Sequence, residues 1–152
     1  MRPREHKGPP GGRQDPAPTP HRERVKRLLA ERPPREWLNA YATEVRHIQQ
    51  RVADINTATR HAAAADPEIA ALWAAKMHAR LDGIRPLAAA LADHDMLAHG
   101  LTAGRAADII WTLGSPETYH LLVTDRGWDP GDYQRWLTLT LEQTLLPGAE
   151  PR

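Results

Sequence analysis

The sequence predicts an all-α protein, an antiparallel helical bundle preceded by a disordered N-terminal tail. Three observations predict it. Apolar residues recur every three or four positions through each long segment after residue 19, the period of a helix with a buried face. A small polar residue followed by proline, a helix-start signal, stands at Thr19-Pro20, Asp66-Pro67, Ser115-Pro116 and Asp129-Pro130. No alternating run long enough for a strand occurs.

Residues 1–18, MRPREHKGPPGGRQDPAP, hold five prolines and three glycines and almost nothing apolar. Such a segment cannot bury enough surface to offset the entropy of ordering, so it reads as a disordered tail. The helical domain spans 19–146, and 147–152 read as a disordered C-terminus. Thr19-Pro20 opens a short basic helix, HRERVKRLLAE, whose Val25, Leu28 and Leu29 dock on the bundle, and Pro33-Pro34 breaks it. A long helix follows from about Arg35 to Ala64. Its stripe is Trp37, Tyr41, Val45, Ile48, Val52, Ile55 and Thr59. Asp66-Pro67-Glu68 caps the next helix, with Ile69, Trp73, Met77, Leu81, Ile84, Ala88 and Leu91 on one face. Pro86 inside that pattern, close to Gly83, predicts a kink near Asp82. HDMLAHG then turns the chain.

The stretch 101–146 carries the most information. Around 103–113, Ile109, Ile110, Trp111 and Leu113 leave only a narrow polar strip through Asp108 and Thr112. A helix apolar nearly all round must be covered on two sides, and a second copy of the chain is the simplest second partner. Ser115-Pro116-Glu117 starts a further helix that Gly127 ends. Asp129-Pro130 starts the last, with Trp128 placed to staple against Tyr133. Tyr133, Trp136, Leu137, Thr140, Leu141 and Leu145 then repeat at helical spacing.

Composition bounds the function. The net charge of +1 is split, with nine basic and four acidic residues in 1–32 against eleven and fifteen in 33–152. The folded part, at −4, has no bulk attraction for nucleic acid. There is no cysteine, which removes disulfides, thiolate metal sites and a cysteine nucleophile. No apolar run of membrane-spanning length and no signal-peptide core occur, so the sequence predicts a soluble cytoplasmic protein with no membrane partner.

Polar groups inside apolar stripes are the candidate binding residues. Tyr41 and Thr59 sit mid-stripe, Glu44 and Asn56 flank it, and Arg80 borders the third helix's stripe beside Met77 and Trp73. With Val45, Ile48 and Trp111 they make the mixture of apolar wall and few polar groups that a drug-sized pocket uses. The plain alternative is that they only pack a core. His94, Asp95 and His99 cluster, but a spacing of five in a turn reads as a solvated loop and not as a metal site. GPPGG at 8–12 lacks the lysine and strand of a phosphate loop. No catalytic signature stands out, so no enzyme and no cofactor are expected.

The order LTAGRAADIIWTL, SPETYHLLV, RGWDPGDYQRWLTLTLEQTLL resembles the C-terminal end of TetR-family transcriptional regulators, and the likeness extends weakly back to about Thr19. It departs locally at Arg105, where a capping box after Thr102 wants an acid. It departs at large because the family's helix-turn-helix head is not in this chain. The resemblance implies a ligand cavity between the segments 35–64, 67–94 and 103–113. It also implies a four-helix dimer interface from 103–126 and 130–146, where Ile109, Tyr119, Leu122, Val123, Tyr133, Trp136, Leu137, Thr140 and Leu141 would meet a second copy. In the family, the helix matching 21–31 shifts recognition helices that sit about 34 Å apart.

The expectation is therefore a TetR-like regulator fragment that binds a small apolar ligand and forms a homodimer, or a heterodimer with full-length relatives. It would lack sequence-specific DNA binding of its own. A truncated gene, a misplaced start codon and a real short form would all give such a chain. The alternative is a stand-alone small-molecule-binding or helical interaction protein unrelated to transcription.

Overall fold

The computed structural model describes residues 20–148. The predicted tail at 1–18, the Thr19 cap and the last four residues lie outside the described residues. The protein is all-α, and no strand occurs among the described residues. Its helices are α1 (Pro20–Glu31), α2 (Trp37–Ala63), α3 (Pro67–Asp93), α4 (Ala103–Leu113), α5 (Pro116–Tyr119) and α6 (Pro130–Leu145). A 3-10 turn at Pro34–Glu36 leads into α2, which starts slightly later than the sequence suggests. A π-helical turn at His120–Asp125 extends α5.

Local chemistry sets the helix ends. The Asp66 carboxylate accepts from the backbone N–H groups of Glu68 and Ile69 at the start of α3. Thr102, Ser115 and Asp129 accept in the same way from Arg105, Thr118 and Gly131. Each satisfies a donor that the first helical turn leaves orphaned. Gly127, at φ 71°, supplies the left-handed residue that stops the π-turn. α3 runs unbroken through Pro86.

α2 and α3 form a long antiparallel hairpin. α1 and α4 pack on α3, and α6 packs on α2. Gln134 Nε2 donates to Thr43 Oγ1 at 2.8 Å and Thr138 Oγ1 to Asn39 Oδ1 at 3.4 Å, so α6 runs antiparallel to α2. The Ala98 N–H donates to the Leu145 carbonyl at 2.7 Å and ties the α3–α4 turn to the end of α6. The core gathers Trp37, Leu38, Tyr41 and Val45 of α2 with Ile84, Leu87 and Leu91 of α3, Ile110 of α4, and the α6 stripe Tyr133, Leu137, Leu141 and Leu145. From α1, Val25 and Leu28 enter it.

Burial fades along the hairpin. At 27 residues each, α2 and α3 extend about 40 Å, whereas the 16 residues of α6 reach only about 24 Å. Ile55 on α2 and Leu72 on α3 are accordingly 64% and 70% exposed. The apolar period continues to the hairpin tip, beyond the reach of α6, and α5 and the π-turn touch its outer part at Thr57 and Arg60.

The predicted staple is replaced by a different contact. Trp128 meets Trp136 edge-to-face at 6.3 Å, while Tyr133 pairs with Tyr119 at 4.9 Å. A full helical turn separates Tyr133 from Leu137, and both point inward to α2, which leaves Trp136 to receive Trp128.

Gly83, buried in mid-α3, lets α1 approach. A Cβ at this position would lie 2.2 Å from His21 Cδ2 and 3.0 Å from Cγ. Alanine normally stabilises a helix interior by about 1 kcal/mol over glycine. Here overpacking costs about 1–3 kcal/mol, so Gly83→Ala is expected to lower stability. In a His21→Ala background the same change is expected to become neutral or stabilising. Urea unfolding of the four proteins in this cycle measures the coupling, and independence of the two sites would disprove the contact.

Candidate functional site

The α1, α2 and α3 helices enclose a partly open cavity of about 350 Å³. Val45, Ile48 and Val52 of α2 and Ala79 of α3 give it an apolar wall. Gly114 and Pro116, from the α4–α5 corner, close one end. Pro20, His21 and Arg24 bring α1 into the wall. The segments expected to form the cavity did not include α1, which the sequence marks only as a charged surface helix.

Of the nine expected ligand residues, Tyr41, Val45, Ile48, Asn56 and Arg80 line this space. The other four do not. Thr59 Oγ1 turns back on its own helix and donates to the Ile55 carbonyl at 2.8 Å. Trp73 lies beyond the cavity, in a small depression with Arg60 and Glu117, and Lys76 Nζ sits 5.6 Å from its ring centroid. Trp111 Nε1 donates to the Met77 carbonyl at 3.0 Å, which fastens α4 to α3. Met77 is spent on that junction, its sulfur 3.9 Å from Arg80 Nη1. The stripe is right for these residues, but each helix turns about 100° per residue and the cavity takes only part of the face.

Arg80 organises the site. Its Nη2 donates to the carbonyls of Trp111 at 3.2 Å and Gly114 at 3.0 Å, and its guanidinium lies 5.7 Å from the Trp111 ring centroid. A cation on the last carbonyls of α4 satisfies acceptors that the helix end leaves open and complements its dipole. Lys76 Nζ donates to Asn56 Oδ1, and Asn56 Nδ2 donates to Gln49 Oε1 at 3.4 Å. Gln49 and Asn56 are both buried. Gln49 was not among the expected residues, and its place in the α2 stripe's flank is the only sequence signal for it.

The Tyr41 hydroxyl is buried beside Gly114 and meets no hydrogen-bond partner of good geometry. Burial raises its pKa, and the Arg80 guanidinium opposes that rise through its charge and a hydrogen-bonding approach to the hydroxyl. The Tyr133 hydroxyl is likewise unpartnered, and burial raises its pKa too. Buried hydroxyls normally find a partner, and neither of these two has one of good geometry.

His21 Nε2 is also buried without a partner. Burial, then the charges of Arg80 and Arg24, hold the His21 pKa down at about 4. The folded pKa lies below the unfolded value of 6.5, so folding favours the neutral ring. The associated stability is fully present above pH 6.5 and is lost as pH falls towards 4. At pH 5 the loss from this one group is about 2 kcal/mol. Melting curves at pH 7 and pH 5 should show it, and His21→Leu should remove that part of the pH dependence. An unchanged difference would mean that the ring titrates normally.

The nine expected interface residues divide. Tyr133, Leu137 and Leu141 are 0% exposed and Tyr119 is 4% exposed within one chain. These four have no surface left for a second copy, because the chain's own α2 uses the α6 stripe first. Ile109, Leu122, Val123, Trp136 and Thr140 are partly exposed. Leu121, Trp128 and Leu139, on the same C-terminal elements, are exposed and were not expected.

His94 lies edge-on to Trp37 at 5.0 Å, and its Nδ1 is 2.9 Å from the Ala90 carbonyl. Among the described residues, no helix is long and apolar enough to cross a membrane. Comparison with family models, curated proteins and solved structures finds no match to this chain.

Proposed function

We propose that this chain is a small-molecule-binding, dimerising domain like that of a TetR-family regulator. The observation that carries the proposal is the cavity of about 350 Å³ with an apolar wall and a few polar side chains, Gln49, Asn56 and Arg80 among them. That volume and lining are typical of a ligand pocket. The order of the α4, α5 and α6 motifs supports the regulator reading by resemblance. Exposed Leu121, Trp128 and Leu139 support a partner on the C-terminal elements. On this reading the protein works in the cytoplasm, takes no cofactor, catalyses no reaction and does not select DNA sequence by itself.

A thermal-shift screen of hydrophobic metabolites tests the ligand half. A bound compound at a hundredfold excess over Kd raises stability by about 2.7 kcal/mol. Light scattering tests the dimer half, with twice the 17.0 kDa chain mass expected and the Trp136→Glu and Leu139→Glu proteins expected to be folded monomers. A second reading, a monomeric small-molecule carrier, is favoured by the use of Tyr119, Tyr133, Leu137 and Leu141 in the chain's own core. Ligand binding by a wild-type monomer would select it. No shift with any compound would end both.

A further inference from the structure

The charge lining the cavity is unbalanced. Arg24 from α1 and Lys76 and Arg80 from α3 contribute to its wall, and none of its lining residues is aspartate or glutamate. Among the described residues, ion pairs with carboxylates form elsewhere and include none of these three cations. Neutral groups hold two of them: Arg80 on the Trp111 and Gly114 carbonyls, Lys76 on Asn56. Glu44 accompanies Arg24 along the neighbouring groove between α1 and α2, outside the cavity.

The charges also feel one another. Burial and Arg80 lower the pKa of Lys76, and Arg80 and Arg24 both lower that of His21. Like charges gathered round a largely apolar space repel, most where they are buried and least at Lys76, whose ammonium reaches solvent. An anionic group placed among them relieves that repulsion.

We propose that the cavity takes an apolar carboxylate, with its tail against Val45, Ile48 and Val52 and its head among Arg24, Lys76 and Arg80. The inference rests on the reading of the cavity as a ligand site and names the chemistry of what fills it. At about 30 Å³ per small group, 350 Å³ holds on the order of a dozen non-hydrogen atoms. That is a medium-chain fatty acid or an aromatic acid of one or two rings.

Calorimetric titration of the full chain with decanoate, decanol and decyltrimethylammonium tests it, below their micelle-forming concentrations. Decanoate is expected to bind saturably, at least about tenfold more tightly than decanol. Lys76→Gln and Arg24→Gln are each expected to weaken decanoate at least about threefold and to leave decanol unchanged. Arg80 is left intact because it holds the end of α4, and unchanged helicity and melting of the two variants guard against misfolding. Decanol binding as tightly as decanoate, or the cation binding more tightly, would overturn the charge proposal while the ligand site stood. Tight decanoate binding that neither variant weakens would overturn the assigned head position. Absence of saturable binding by all three, and by 2-naphthoate and 2-naphthol, would overturn both readings.

Discussion

Leu141→Glu is expected to unfold the chain at room temperature. Leu141 lies at 0% exposure in the α6 stripe, between Leu137 and Leu145, which are equally buried. Truncating a buried leucine already costs about 2–5 kcal/mol. The substitution adds a carboxylate to an apolar core, which costs several kcal/mol more whether it stays charged or takes up a proton. Together these approach the whole stability of a domain this size, about 5–15 kcal/mol. Helical circular dichroism should fall and the cooperative melt should vanish. Leu139→Glu, two residues away and 56% exposed, should keep the helical signal and a cooperative melt. A well-folded Leu141→Glu monomer would show that this stripe faces a second copy and not the chain's own α2.

Ala79→Trp should remove ligand binding and leave the fold intact. Ala79 is on the α3 wall of the cavity, between Lys76 and Arg80. An indole there grows into open space, so it fills the site without displacing core atoms, and filling a void costs little or stabilises. A ligand that raises the wild-type melting temperature should lose at least about tenfold in affinity, about 1.4 kcal/mol. The unliganded variant should melt at or above the wild-type temperature. Full ligand response in Ala79→Trp would place the site elsewhere, the polar groove lined by Arg27, Glu31 and Asn39 being the next candidate.

Much of the fold is legible in the sequence, and less of the site. The α3 cap at Asp66 and the starts of α4, α5 and α6 follow from side chains that reach backbone N–H groups two or three residues on. Such contacts are local and can be read from a short window. The stripes on α2 and α3 are legible for the same reason. Tyr41, Val45, Ile48, Asn56 and Arg80 could be chosen because polar groups interrupt those stripes. Thr59 satisfied the same criterion, and Trp73 belonged to the same face of α3, yet both lie beyond the reach of α6 and outside the cavity, Trp73 against α5 instead. Helix length relative to a distant neighbour decides that, and periodicity carries no record of it.

By itself, the sequence determined the helical class, the helix starts and which residues share a helical face, because each depends on spacings of four residues or fewer. Tertiary structure alone decided which face is covered by what. Tyr133, Leu137 and Leu141 form an apolar stripe that suits a second copy as well as the chain's own α2, and only the α2–α6 packing assigns them. Gly83 reads as a weak point in a helix until His21, far away in the chain, is found against it. The same approach of α1 brings Arg24 to the cavity that Lys76 and Arg80 line. Burial and charge act through distance in space, and for these groups that distance is set by contacts between residues remote in sequence.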